Sequence, residues 1–185
     1  MAVILLYTTG MRRGELLRLT LTDCEPGSGV LRVQESKFHK SRILPLSSGA
    51  HAELCSYLRK RLAPPFSRDP DTPLLINTEG GLRAYTGTGI SGGIHALFKM
   101  AGVEDSEGRR PRVHDLRHSF AVGALIRWYL DGADVQSNLP KLALYMGHVS
   151  IVSTACYLHF LPKLREIAND RFEGAFGGLV SEVVV

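Results

Sequence analysis

Two short β-type runs set against a helical background constrain the fold most. Val30-Leu-Arg-Val-Gln34 and Arg42-Ile-Leu-Pro-Leu46 have the β-branched content of strands, and a polar link, Ser36 to Ser41, separates them. Runs so short and so close in sequence predict an antiparallel hairpin, not a crossover sheet. Glu25-Pro-Gly-Ser-Gly29, just ahead of them, is a turn cluster. Around them the apolar spacing is helical. Met1 to Tyr7 reads as the end of a helix broken near Gly10, and a second helix is expected from about Arg12 to Leu19, with Leu16 and Leu17 inward. Leu54, Leu58 and Leu62 mark a helix from Ala50 to Leu62 that stops at Pro64-Pro65. Leu74-Leu-Ile76 suggests a further extended piece. More helices are predicted over Gly92–Ala101 and His114–Leu130, in a stretch ending near Gly147, around Tyr157, and from Pro162 to Phe172. Asp131–Leu139 reads as a loop. The expected class is mainly α with one small antiparallel sheet.

The 185 residues suffice for one domain with its own apolar core. A formal net charge of +4 permits a polyanionic partner without requiring one. Its distribution is more telling. Arg109, Arg110, Arg112 and Arg117 crowd one stretch, while the tail holds Glu166, Asp170, Glu173 and Glu182. Cys24, Cys55 and Cys156 are odd in number and have no C-x-x-C spacing, which argues against a disulfide framework or a zinc knuckle and for a reducing compartment. The apolar start is too short to span a bilayer and has neither the basic flank nor the cleavage site of a signal peptide.

His114-Asp-Leu-Arg117-His118 is the most suggestive segment. At a helix start, positions i, i+3 and i+4 share a face, so the two imidazoles and the guanidinium are expected to project together where the helix also favours anions. A guanidinium offers a planar fork of donors, and an imidazole adds a donor that can exchange a proton. A lone H-x-x-R is more often a solvated basic edge. Here it has company. Thr9-Gly-Met-Arg12-Arg-Gly-Glu15-Leu places another arginine after a glycine break, with Glu15 one turn on. Tyr145-Met-Gly147-His148 precedes Tyr157 by nine residues.

The ordered set T-G-x-R-x-x-E-L, H-x-L-R-H and G-H with Tyr nine residues on resembles the tyrosine recombinases of the phage-integrase type. The link from Ser36 to Leu46, with Lys37, Lys40 and Arg42, is similar to that family's hairpin pattern G-K-x-x-K-x-R-x-x-P-L. The resemblance implies roles at these positions. Arg12 and Arg117 would clamp the scissile phosphate, with His148 a third donor and His114 bonding the same phosphate and assisting proton transfer. Tyr157 would be the nucleophile, giving a 3′-phosphotyrosyl bond. Lys37 would protonate the leaving 5′-oxygen, with Lys40 the competing candidate. Glu15 and His118 would support, and Lys40, Arg42, Arg110 and Arg112 would touch DNA. No cofactor, metal or ATP is expected, since cationic side chains can stabilise the equatorial oxygens of a phosphoryl transfer.

The implied partner is double-stranded DNA at a specific site, bound by a monomer that assembles into a synaptic tetramer on DNA, with no membrane association and a cytoplasmic, nucleoid-associated location. Residues 1–160 would form the catalytic core and 161–185 a tail able to dock in cis or in trans. The N-terminal core-binding domain of full-length members has no counterpart here, so weak, salt-sensitive DNA binding is expected. The long Asp131–Pro140 link resembles that of mobile-element members. A catalytically idle DNA-binding remnant, a type IB topoisomerase and a helix-turn-helix regulator are the alternatives. Gly87-Thr-Gly89-Ile-Ser-Gly92 spells a dinucleotide fingerprint but lacks the βαβ frame, and reads as a flexible lead-in to a helix. His51, His95 and His159 lack metal-ligand spacing.

Overall fold

The computed structural model describes residues 1–34, 41–79 and 81–148, together with Thr154 and Tyr157. In chain order the elements are α1 (Ala2–Thr9), α2 (Arg13–Arg18), β1 (Cys24–Glu25), β2 (Val30–Val33), β3 (Arg42–Pro45), α3 (Ser48–Arg61), β4 (Ile76–Asn77), β5 (Arg83–Ala84), α4 (Gly87–Met100), α5 (Asp115–Leu130) and α6 (Val135–Met146). The class is mainly α with small antiparallel sheets, as the sequence predicts. The chain divides into two compact units. One comprises Met1–Phe120 with Tyr145–Gly147, and the other comprises Ala121–Leu144 with His148 and, among the described residues beyond it, Thr154 and Tyr157.

In the first unit, α1 ends because Gly10 takes a left-handed conformation, with φ 61°, that caps the helix through its N–H to Leu6 O. A side chain there would also collide with the Phe120 ring. The turn releases the chain into α2, whose N-cap is Arg12. The β2–β3 register pairs Leu31 with Leu44, both fully buried, and Arg32 with Ile43 on the other face, so alternate residues point into the core. Helix α3 is capped by Ser47, whose hydroxyl accepts from Ala50 N at 3.3 Å, and its last turn carries Arg59, Lys60 and Arg61 against the helix dipole. Leu54 and Leu58 from α3 join Ile90, Ile94 and Phe98 from α4, along with Leu5, Leu6 and Leu16, in one apolar cluster.

Buried Arg61 is 2% exposed and ties down the Ser67–Leu74 segment. It donates to the carbonyls of Ser67, Pro73 and Leu74 and to the Thr72 hydroxyl. The carbonyls offset the cost of burying its charge.

Three expectations need correction. Cys24–Glu25, at the edge of the expected turn, pairs with Val30–Leu31, so the sheet has three strands, and β4 and β5 form a second pair. The glycine-rich run lies inside α4, not ahead of it. Thr86 caps the helix by accepting from Gly89 N, and the Ile90, Ile94, Phe98 stripe outweighs the low helix propensity of the glycines.

The third correction falls in the second unit, where helix α6 begins at Val135, within the expected loop. Asp134 accepts from Ser137 N and Ser137 Oγ. Leu139, Leu142 and Ala143 are buried on either side of Pro140, which is therefore carried inside the helix and not at its start.

Candidate active site

The basic cluster of the first unit is built on the start of α2. Glu15, at the third helical position, turns its carboxylate back to Arg12 N at 2.7 Å and to Arg12 Nη1 at 3.0 Å. The return half of a capping box is thus made, while Arg12 itself has only donors to offer. From β3, Arg42 grips the same carboxylate with both amino groups, at 3.0 and 2.9 Å, and its Nε donates to Tyr145 O at 2.8 Å. Glu15 is 2% exposed. Burial alone would push its pKa up, but the Arg42 hydrogen bonds, the Arg12 backbone N–H and the two positive charges prevail and bring it from 4.5 to about 2.

A carboxylate with a lowered folded-state pKa stabilises the fold above about pH 4.5, and that contribution fades as pH falls toward about 2. A shift of this size corresponds to about 3 kcal/mol. Urea unfolding at pH 7, 4.5 and 2.5 should therefore show the wild type losing on that order more than Glu15→Gln across the lower interval. Parallel losses in both proteins would contradict the assignment.

The first residues of α5 supply the next groups. Arg117 is 2% exposed and donates to Gly10 O and, at 2.8 Å, to Met146 O. Arg12 donates through Nη2 to Gly147 O at 3.0 Å. The two arginines, far apart in sequence, therefore reach successive carbonyls of a single corner, and the next residue along the chain is His148. Gly147 makes the corner possible with φ 68°.

His114 is exposed at the mouth of a cleft, its ring edge-on to that of His118 with centroids 4.8 Å apart. Partial desolvation in the cleft, then the charges of His118 and Arg117, depress its pKa below the usual 6.5, although Asp115 opposes them. The imidazole is therefore predominantly neutral at pH 7 and gains a proton more readily once an anion arrives. Asp115, from the same motif, acts locally. Its carboxylate accepts from Arg112 N at 2.8 Å and pairs with the Arg112 guanidinium.

The cleft has a volume of about 430 Å³, and Arg13, Ser91, His95, Arg112, His114 and Arg117 contribute its polar lining. Sequence reasoning does not find Arg13 or Ser91, and it gives His95 no role. The first two are joined by a hydrogen bond of 2.8 Å between α2 and α4, and no spacing in the sequence signals a contact of that kind.

In the second unit, His148 Nδ1 lies 2.7 Å from Thr154 Oγ1, and the His148 and Tyr157 rings stack with centroids 6.4 Å apart. Thr154 is fully buried and Tyr157 is 5% exposed. Thr154 is another residue that the motifs alone do not single out. The hydroxyl fixes the ring's orientation, and where it donates to Nδ1 the ring proton sits on Nε2.

Arg42, expected to touch DNA, has a side chain only 10% exposed, and its guanidinium is engaged by Glu15 and Tyr145 O. Arg110 and Arg112 are exposed, as a DNA contact would need. Lys37 and Lys40 lie outside the described residues. Among the described residues, no helix is long and apolar enough to cross a membrane.

The mainly helical frame with small antiparallel sheets that carries these arginines and histidines is that of tyrosine recombinase catalytic domains. The crystal structure of XerA recombinase shares the fold, with a TM-score of 0.74 and 28% identity over 92% of this chain and 55% of that one. The chain belongs to the phage integrase family, matching it over residues 1–163. Protein y4rE of Sinorhizobium fredii, named among the integrase/recombinases, is 37% identical over 167 residues, which is 90% of this chain and 52% of the relative. Tyrosine recombinase XerC of Lactobacillus delbrueckii subsp. bulgaricus is 31% identical over 157 residues, 85% of this chain and 48% of the relative. The chain thus spans about half the length of these curated relatives.

Proposed function

We propose that the chain carries the catalytic machinery of a site-specific DNA recombinase that cleaves and rejoins strands through Tyr157, in the integration and recombination of a mobile element. The observation that carries this reading is the meeting of Arg12 and Arg117 on the Met146–Gly147 carbonyls, directly ahead of His148. Two guanidiniums aimed at one corner, with His114 on the cleft beside Arg117, suit a dianionic pentacoordinate phosphorus.

In this reading Tyr157 Oη attacks phosphorus and the bond to the 5′-oxygen breaks. Lys37 gives that oxygen its proton, and His114 assists transfer of the phenolic proton. The 3′-phosphotyrosyl ester keeps the energy of the broken bond, so a 5′-hydroxyl can reverse the step without ATP. Thr154 holds the His148 ring in place, and with its hydroxyl donating to Nδ1 the Nε2 proton is left to donate to the phosphate. The partner is double-stranded DNA, with assembly into a tetramer on two duplexes. The domain assignment, residues 1–160 as catalytic core and 161–185 as a docking tail, belongs to the same proposal.

The test is covalent capture. The chain is incubated with a randomised duplex library carrying a bridging 5′-phosphorothiolate, whose thiol leaves without needing a proton and rejoins poorly. A denaturing gel should show a protein–DNA adduct, and sequencing the captured DNA would define the site. Two copies of that site on one plasmid should then recombine. Relaxation of the plasmid without recombination would favour a topoisomerase, and absence of any adduct would defeat the reading.

A further inference from the structure

We infer that Arg42 is a positioning residue for strand cleavage, acting through Glu15 to hold Arg12 at the scissile phosphate. The inference rests on the recombinase reading above and adds a residue to it.

The geometry supports a relay. A single arginine on an exposed helix start has several rotamers, and fixing one costs up to about 2 kcal/mol of side-chain entropy. Glu15 removes that freedom by binding Arg12 at both its backbone N–H and its guanidinium. Glu15 needs a partner of its own, because a carboxylate 2% exposed with only one arginine at its edge would be poorly compensated. Arg42 is that partner. It meets Glu15 in the two-pronged arrangement that gives a guanidinium–carboxylate pair its directionality.

Arg42 also fixes the other side of the site. Its Nε holds Tyr145 O, and the Tyr145 hydroxyl returns to Pro45 O on the same strand at 3.1 Å. The 145–147 run that receives Arg12 and Arg117 is therefore laced to β3 at two points. Gly147 admits the guanidinium, since a Cβ there would lie 2.7 Å from Arg42 Nη1. One side chain thus sets both the direction of Arg12 and the place of the carbonyls it meets. A lysine could supply the charge but not the three donors in a plane.

The test compares Arg42→Lys, Arg42→Gln, Glu15→Gln and the double variant Arg42→Lys/Glu15→Gln in single-turnover adduct formation on the captured duplex, with DNA affinity measured separately by anisotropy. Arg42→Lys should fold, bind the duplex within about twofold of the wild type, and form adduct about 10- to 100-fold more slowly, a loss in rate typical of a misplaced catalytic group. On the Glu15→Gln background the same change should cost less than about threefold, because the relay is already cut. Wild-type rates in Arg42→Lys and Arg42→Gln, or a full multiplicative loss in the double variant, would overturn the inference while leaving the recombinase reading intact. Loss of DNA affinity in proportion to rate would make Arg42 a binding residue and also overturn it. If the wild type forms no adduct at all, the recombinase reading falls and the inference falls with it.

Discussion

Replacing Tyr157 by phenylalanine is expected to abolish the covalent adduct, with a loss of at least about a thousandfold, while DNA binding stays within a few fold. Removing the nucleophile removes the only oxygen that the proposed reaction joins to phosphorus, and losses of this order accompany deletion of a nucleophile elsewhere. The ring should keep its place, because Tyr157 is 5% exposed and its described aromatic contact is a stack on His148 that phenylalanine preserves. The checks are a denaturing gel for the adduct and anisotropy for binding. An adduct that persists in Tyr157→Phe would assign the nucleophile to another residue.

The second large effect is expected at Arg117, and it should appear in two measurements at once. Arg117→Ala withdraws donors from Gly10 O and Met146 O in a place that is 2% exposed. Carbonyls left without a donor there should cost about 2–3 kcal/mol in urea unfolding. It also takes away half of the proposed phosphate clamp, so single-turnover cleavage should fall about 100- to 1000-fold beyond any effect of lost folded protein. Arg117→Lys should recover part of the stability and little of the rate, since an ammonium cannot span the two carbonyls and a phosphate together. Cleavage near wild type in Arg117→Lys would place the arginine in the scaffold alone.

Much of this is legible in the sequence because the information is local. The Gly10 break, the helix that starts just after His114 and carries Arg117, and the β2–β3 pairing each follow from residues a few positions apart. What stays hidden depends on contacts made across the chain. Arg42 has the sequence signature of a surface cation, and only its approach to Glu15, from another element, makes it an interior residue. Arg13 with Ser91, and Arg61 with its ring of carbonyls, are invisible for the same reason. Pro140 misleads in the opposite direction. A local rule places a helix boundary beside it, yet the Asp134 cap and the burial of Leu139 and Leu142 carry α6 through it. Glu15 is assigned by its spacing to the correct neighbour, Arg12, but with half of its partners missing.

The contact between Gly147 and Arg42 joins two positions far apart in the chain. Because the guanidinium occupies the space where a side chain at 147 would begin, and because φ at Gly147 is 68°, a substitution at either position is felt at the other. A larger residue at 147 would have to displace the Arg42 guanidinium, and a displaced or shorter side chain at 42 leaves Glu15 without its bidentate partner. A change at any one of Glu15, Arg42 and Gly147 therefore reaches the other two, so helix start, strand and corner behave as one mechanically coupled unit although Gly147 lies more than a hundred residues from the others.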